Sequence, residues 1–193
     1  MAKNDLTEKQ LSSQTVYQGD LLHVNEDQVQ LPNGNTSRRE YILHPGAVVI
    51  IPLLANGHVI MERQFRYPLH RDVYELPAGK LDACESALVC GQRELMEETG
   101  YSAASWKYVA TIHPCIGYSN ERMSLFLAQE LTEGIHQRDG DEFIEVFTLP
   151  MEEALEWVRT GRITDVKTVI GLFWAEKILD GWLPPEIPAT DQA

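Results

Sequence analysis

Between residues 14 and 44 polar and apolar side chains alternate, a pattern that predicts β-strands. Residues 16–30 and 38–43 follow this alternation on either side of Pro-Asn-Gly-Asn at 32–35, which favours a tight turn. The polar segment 1–13 lacks the pattern, and we predict that it is disordered. The N-terminal region is therefore expected to be an antiparallel hairpin over residues 14–44.

The next pair of predicted strands is more apolar. Residues 47–54 and 58–66 flank Ala-Asn-Gly at 55–57, so we predict a second, more buried hairpin here. A short strand over residues 73–76 leads into a Pro-Ala-Gly loop at 77–79.

The second half of the chain changes from strand patterns to helix patterns. Three further strands are predicted at 106–113, 122–130 and 143–148. Pro150 can open one helix and Asp165 can cap another, and residues 184–193 are expected to form an irregular tail. The apolar stripe of the last helix is assigned to core packing, and it comprises Val169, Ile170, Phe173 and Trp174. One core of α/β or α+β type suits this chain length.

A helix predicted over residues 86–99 concentrates carboxylates on one side. At 100° per residue, three glutamates fall within an arc of about 100°, and three other residues cluster roughly opposite. The glutamates are Glu94, Glu97 and Glu98, and the opposite side holds Leu88, Leu95 and Thr99. A Glu-rich helix face is most often only a solvated surface, so the surrounding pattern must decide between surface and chemistry.

An all-oxygen cluster of this kind suits a hard divalent cation. Carboxylates at i, i+3 and i+4 repel one another, and in a cleft they raise one another's pKa values unless a cation neutralises them. Because the cluster contains neither His nor Cys, Mg²⁺ or Mn²⁺ is the expected ion. Gly79 permits a close backbone approach, and Gly100 suits a helix C-terminal position that favours positive φ.

Composition excludes several classes of partner. The net charge of −13 argues against nonspecific binding to nucleic acid or to anionic membranes, which needs a basic surface. No window approaches the roughly 18 apolar residues of a membrane span, and the polar N-terminus shows no signal peptide. The three cysteines lack metal-site spacing. We therefore expect a cytoplasmic protein.

The residues around the predicted helix resemble the Nudix box, the signature of hydrolases that cleave a nucleoside diphosphate linked to another moiety. Tyr101, which follows the last box position, stands where a bulky aliphatic residue is usual. Seven fixed residue types over 22 positions make a chance match improbable and favour the catalytic interpretation of the glutamates. The seven positions are Gly79, Glu85, Arg93, Glu94, Glu97, Glu98 and Gly100.

The order of motifs over roughly residues 15–182 is similar to the ADP-ribose pyrophosphatase branch of this family. Four segments besides the box carry the similarity, at 44–48, 63–66, 75–79 and 141–146. The resemblance implies an α/β (α+β) Nudix fold over residues 45–183, with a mixed β-sheet sandwiched between helices. It also implies that the N-terminal hairpin is used in dimerisation, exchanged between the two subunits of a homodimer.

The resemblance further implies a role for each matching residue. The metal ligands, for two or three Mg²⁺ ions or for Mn²⁺, would be the carbonyl of Ala78 with Glu94, Glu97 and Glu98. The catalytic residues would be Glu98 and Glu142, the latter as the base that activates water. The substrate contacts would be Arg66 at the diphosphate, Arg39 near the adenine, Gly79 and Glu121. The supporting residues would be Glu85, Arg93, Gly100 and Glu145.

The implied reaction is hydrolysis of ADP-ribose to AMP and ribose 5-phosphate. Other ADP-sugars and GDP-mannose stay open as substrates, because Ile116 stands where ADP-ribose hydrolases commonly carry proline. A hydrolase of modified nucleoside triphosphates is a further alternative. A non-catalytic sensor of a nucleotide metabolite would predict loss of the helix glutamates, and all three are present.

Overall fold

Three β-sheets organise the part of the chain that the structure describes, residues 5–134 and 143–182 of a computed structural model. The strands are β1 Lys9–Gln18, β2 His23–Gln30, β3 Thr36–Leu43, β4 Ala47–Pro52, β5 His58–Arg66, β6 Arg71–Glu75, β7 Ala78–Lys80, β8 Tyr101–Ile112, β9 Met123–Glu133 and β10 Ile144–Pro150. The α-helices are α1 Ala87–Glu94, α2 Met151–Arg159 and α3 Val166–Leu179, and a π-helical turn, Leu95–Thr99, follows α1.

The chain divides into two compact units, and the first comprises Met1–Pro45 with Cys115–Arg122. In its described residues β1, β2 and β3 form an antiparallel sheet in that order. The β2–β3 pair confirms the hairpin predicted around 32–35, and Gly34 in its turn has a φ of 86°. The strand predicted over 16–30 is wrong in extent, because residues 19–22 form a turn between β1 and β2. The segment 115–122 adds a parallel bridge, because the Ile42 amide donates to the carbonyl of Tyr118 over 2.8 Å.

The strand β1 begins inside the segment that was expected to be disordered. Residues 9–13 pair with β2, so the disorder predicted for 1–13 does not extend to Lys9. All ten residues of β1 are exposed, so hydrogen bonds rather than burial hold the strand in the sheet, including side-chain bonds to β2 such as Gln10 to Asp27 over 2.8 Å. No burial pattern marks such a strand in the sequence, which explains the difference.

The second unit comprises Gly46–Pro114 and Met123–Ala193, and its central element is β4. This strand lies in a mixed sheet of order β7-β4-β9-β8, parallel to β9 and antiparallel to β7. Its side chains are buried on both faces. Val48 and Ile50 pack with residues of α1, whereas Val49 and Ile51 pack with residues of α3. The predicted sheet between helices is therefore confirmed.

The predicted hairpin of β4 and β5 is wrong. The turn itself forms, with the Gly57 amide donating to the Leu54 carbonyl over 3.0 Å, but β5 is the centre of a separate antiparallel sheet of order β10-β5-β6. Among the described residues an isolated bridge links Val59 of β5 to Leu53, which lies just beyond the end of β4. The physical reason is that β7 and β9 already occupy both edges of β4, so β5 finds no free edge there.

The helix α3 packs tightly on the segment that leads into β7. Asp165 caps the helix as predicted, and a Cβ on Gly171 would lie 2.4 Å from Cδ1 of Leu76, so only glycine allows this approach. The predicted apolar stripe is partly wrong, because Phe173 is 48% exposed. The buried residues of α3 are instead Lys167, Thr168, Gly171, Leu172 and Ala175.

Among residues 5–134 and 143–182, no helix combines the length and the apolar character needed to cross a membrane.

Candidate active site

The strand β7 and the glutamate-bearing helix are packed directly against each other. The amide of Ala78 donates a hydrogen bond to Oε2 of Glu98 over 3.0 Å, and Glu98 is buried. A Cβ on Gly79 would lie 1.8 Å from both Cδ and Oε1 of Glu94. The glycine is therefore required for close approach, and the group that approaches it within the chain is the Glu94 carboxylate.

The helix changes its winding where it carries Glu97 and Glu98. Residues Leu95–Thr99 form a π-helical turn, in which hydrogen bonds run from i to i+5, and such turns occur frequently at functional sites. The angle of 100° per residue assumed from the sequence does not hold in this turn. Of the side predicted to be buried, Leu95 and Thr99 are buried, but Leu88 is exposed.

A left-handed glycine ends this turn. Gly100 has a φ of 76°, and its amide donates to the carbonyl of Met96 over 2.9 Å, as predicted for the C-terminal position. The strand β8 begins at the next residue, Tyr101.

Arg93 gathers the carboxylates of the box. Its guanidinium forms two hydrogen bonds with Glu85, of 3.0 Å from Nε and 2.9 Å from Nη2. Nη1 donates to Glu94 over 2.8 Å and to Glu97 over 3.0 Å, and Nη2 also reaches the carbonyl of Lys80. These contacts confirm the predicted pairing of Arg93 with carboxylates. The contact with Lys80 also connects the helix to β7.

This arrangement shifts the pKa values of its members. The hydrogen bonds from Arg93 lower the pKa of Glu85 to about 2, against an ordinary value of 4.5, and they outweigh the effect of its partial burial. The Glu85 carboxylate in turn raises the pKa of Arg93. Glu85 is therefore ionised whenever the protein is folded near neutral pH.

The described carboxylates have the type of donor atom that a divalent cation binds, but their present orientation does not form a metal site. No group of three His, Cys, Asp or Glu side chains within the described ranges stands ready to hold a metal ion. The reason is that Arg93 draws Glu94 and Glu97 to itself, while Glu98 faces the Ala78 amide. The donors are nonetheless all oxygen atoms, as Mg²⁺ and Mn²⁺ prefer.

Arg66 belongs to a second charged cluster of the same unit. Its Nε and Nη2 donate to the two carboxylate oxygens of Glu75 over 2.6 and 2.8 Å. Lys167 donates to the same carboxylate and, over 2.9 Å, to Oδ2 of Asp165. Burial raises the pKa of Glu75, whereas the hydrogen bonds from Arg66 and the charge of Lys167 lower it. The lowering effects together outweigh burial, so the pKa of Glu75 is below its ordinary value.

Sequence reasoning missed Glu75 and Lys167 as members of this cluster. Glu75 was recognised only as part of a motif, and Lys167 was not considered. The two residues lie 92 positions apart, so no local spacing connects them. The available signal was a lysine two residues after a helix cap, in a helix whose other residues are mostly apolar.

The predicted adenine contact and Glu121 lie in the first unit. Arg39 is exposed and paired with Glu8, with hydrogen bonds of 2.9 Å from Nε and 2.5 Å from Nη2. The amide of Glu121 donates to the hydroxyl of Ser119 over 3.1 Å. Their roles toward a substrate stay predictions.

Of the predicted base and Glu145, the structure describes only Glu145. Glu142 lies outside the described residues. Glu145, on β10, forms an ion pair with Arg63 on the neighbouring strand β5. Its supporting role stays a prediction.

Two protein-family models match this chain. The NUDIX domain model matches residues 43–168, and the model of the nucleoside diphosphate sugar hydrolase N-terminal domain matches residues 8–42. The first match contains every residue of the Ala78, Glu98 and Arg93 contacts described above.

The chain is also similar to individual proteins along most of its length. It is 37% identical over 169 residues to the ADP-ribose pyrophosphatase of Bacillus subtilis (strain 168), covering 86% of this chain and 91% of that protein. It is 34% identical over 191 residues to the GDP-mannose pyrophosphatase of Pectobacterium atrosepticum, covering 92% and 95%. A crystal structure of an ADP compounds hydrolase matches with a TM-score of 0.82 at 23% identity, over 93% of this chain and 98% of that one, which shows a shared fold.

Replacing Gly79 with alanine should disable the site without unfolding the protein. The new Cβ would occupy the space of the Glu94 carboxylate and displace it, so we expect kcat/KM for a diphosphate substrate to fall about 10- to 100-fold. Steady-state kinetics measures this, with circular dichroism to verify folding. The control is Gly117→Ala, where a Cβ meets nothing within 4 Å, and it should leave the unfolding midpoint unchanged. Wild-type kcat/KM in Gly79→Ala would show that the close packing is dispensable.

The ion pair of Glu85 should make stability depend on pH. Because the pKa of Glu85 is lower in the folded than in the unfolded chain, its contribution is complete above about pH 4.5 and is lost as the pH falls toward about 2. Urea unfolding of wild type and Glu85→Gln should therefore differ more at pH 7 than at pH 3. Glu152→Gln, at an exposed position of α2, serves as the control. An equal difference at both pH values would contradict the assignment.

Proposed function

The chain belongs to the Nudix hydrolase family, and we propose that it hydrolyses the diphosphate linkage of ADP-ribose to give AMP and ribose 5-phosphate. The observation that carries this proposal is the packing of Glu94 and Glu98 against the backbone of Ala78 and Gly79. It supports a site in which the helix carboxylates and the carbonyl of Ala78 would act together. The relative named ADP-ribose pyrophosphatase, 37% identical over 86% of this chain, supports the choice of substrate.

A second candidate substrate is GDP-mannose. A relative named GDP-mannose pyrophosphatase is 34% identical over 92% of this chain, and Ile116 replaces the proline expected in ADP-ribose hydrolases. The two candidates share the diphosphate linkage and differ in base and sugar. The site residues in the second unit bear on the diphosphate and do not discriminate between them.

The proposed ions are Mg²⁺, two or three per site, with Mn²⁺ as the alternative. The carbonyl of Ala78 and the carboxylates of Glu94, Glu97 and Glu98 would hold them. When bound, such ions lower the pKa of a coordinated water and neutralise charge on the diphosphate.

The chain's own residues would position the substrate and move the proton. Arg66 would offer Nη1 to a phosphate oxygen, because its Nε and Nη2 are engaged by Glu75. Glu142 would take the proton of the water that attacks phosphorus, and the phosphorus bond to the bridging oxygen breaks. Arg93 and Glu85 would hold the metal-binding carboxylates in place.

Product analysis tests this function. Purified protein with Mg²⁺ should convert ADP-ribose into AMP and ribose 5-phosphate, and Glu98→Gln should lose most of this activity, whereas the surface variant Glu152→Gln should keep it. ADP-glucose, GDP-mannose and 8-oxo-dGTP are assayed in parallel by chromatography, each with and without EDTA. Preference for GDP-mannose would move the assignment to the second candidate. Nucleotide binding without hydrolysis of any substrate would overturn the proposal in favour of a sensor.

We further propose a homodimer formed through the N-terminal sheet. The support is that β1 exposes all its residues, including Leu11, Val16 and Tyr17, which is unusual for a strand with this apolar content. The edge of β1 also offers unpaired backbone groups to a second chain. The family's use of this hairpin in dimerisation agrees with such an arrangement.

Light scattering after size exclusion tests the assembly. The wild type should have about twice the chain mass of 21.9 kDa, and Leu11→Glu with Val16→Glu should shift the protein to the monomer because charges are costly in an apolar interface. Leu179→Glu, on the exposed side of α3, is the matched control and should stay dimeric. A monomeric wild type at micromolar concentration would refute the dimer.

A further inference from the structure

Arg66 owes its orientation to a buried carboxylate. Both Nε and Nη2 are bound to Glu75, a two-point contact that fixes the plane of the guanidinium. The Glu75 side chain is only 5% exposed, whereas that of Arg66 is 44% exposed. The buried Glu75 carboxylate is therefore the anchor of Arg66, and part of the Arg66 side chain stays open to solvent.

That anchor is itself held by a second cation. Lys167 is 7% exposed, and its ammonium contacts Oε2 of Glu75, the same oxygen that accepts from Arg66 Nη2. A buried lysine is expected only where carboxylates compensate its charge, and here Glu75 and Asp165 do so. The four charges alternate in sign along the series Arg66, Glu75, Lys167 and Asp165.

The same helix end also fixes the segment that leads into β7. Oδ2 of Asp165 accepts hydrogen bonds from the amide and the hydroxyl of Thr168, over 3.0 and 2.6 Å. The Thr168 hydroxyl oxygen in turn accepts from the amide of Leu76 over 2.8 Å. The first turn of α3 thus fixes both the anchor of Arg66 and the backbone two residues before Ala78.

We propose that Lys167 is a positioning residue for the diphosphate-binding arginine. It holds the Glu75 carboxylate in the orientation that grips Arg66, and it balances the charge of Glu75 so that Arg66 keeps its positive charge available to an anionic substrate. Without Lys167, the negative charge of Glu75 would be balanced by Arg66 alone, and less of the positive charge of Arg66 would be available to the substrate. This inference rests on the proposed function, in which Arg66 contacts the diphosphate.

A double-mutant cycle tests the inference in the full-length protein. Lys167→Met keeps the unbranched stem but removes the charged ammonium. We expect the KM for ADP-ribose to rise about tenfold with kcat nearly unchanged, because Arg66 binds ground state and transition state alike. In the background of Arg66→Ala, the same substitution should leave KM unchanged. Lys167→Arg, which keeps the charge, should restore KM to within about threefold of wild type.

Two controls separate positioning from general stabilisation. Lys177→Met makes the same change at an exposed position of the same helix, and it should leave KM at the wild-type value. Thermal unfolding verifies that each variant is folded at the assay temperature. If Lys167→Met does not fold, Asp165→Asn provides the weaker perturbation, which should raise KM in the wild-type background and not in Arg66→Ala.

The outcomes distinguish this inference from the proposed function. If the wild type hydrolyses no diphosphate substrate, the proposed function has failed. If the wild type is active and Arg66→Ala raises KM, but Lys167→Met raises KM by the same factor in both backgrounds, Lys167 is only structural and the inference is overturned. If GDP-mannose replaces ADP-ribose as substrate, the cycle is run on GDP-mannose with the same expected result.

Discussion

The pairing of β4 on both edges and its burial on both faces determine where the site can form. Its backbone pairs with Ala78 and Gly79 on one side and with β9 on the other. Its alternate side chains receive α1 and α3 on opposite faces. The carboxylate helix, the loop carbonyl and the helix that anchors Arg66 are therefore all placed by one strand of six residues. A fully buried strand tolerates little shift in register, so the positions of the elements that pack on it are closely fixed as well.

The site charges form two clusters with different degrees of freedom. In the box, Arg93 holds Glu85, Glu94 and Glu97, and in the proposed function Glu94 and Glu97 exchange this contact for a cation. In the second cluster Glu75 is buried between Arg66 and Lys167, and its partners satisfy it completely through both oxygens. In the proposed function, the first cluster thus exchanges partners as substrate and metal bind. The second is suited to stay fixed and to present one guanidinium.

Sequence reasoning succeeded where the signal is local and failed where it is not. The box helix, its glycine end and the Asp165 cap follow from spacing and residue type within one or two turns. The separation of β4 from β5 depends on β7 and β9, which lie far along the chain, so the turn at 55–57 was misleading. Exposed β1 shows no burial pattern. The Glu75–Lys167 contact spans 92 positions, and only the folded chain brings the two residues together.

The π-helical turn has a consequence for the strand that follows it. The turn ends at Gly100, and β8 begins at Tyr101 already in register with Glu133 of β9. Removing one residue from Leu95–Thr99, so that the turn becomes α-helical, would rotate the chain after it by about 100°. The strand could then keep its place only by slipping one residue, which would exchange its inner and outer faces. The winding of the helix and the facing of the strand are therefore coupled, so an insertion or deletion within Leu95–Thr99 would change which face of β8 packs on the core.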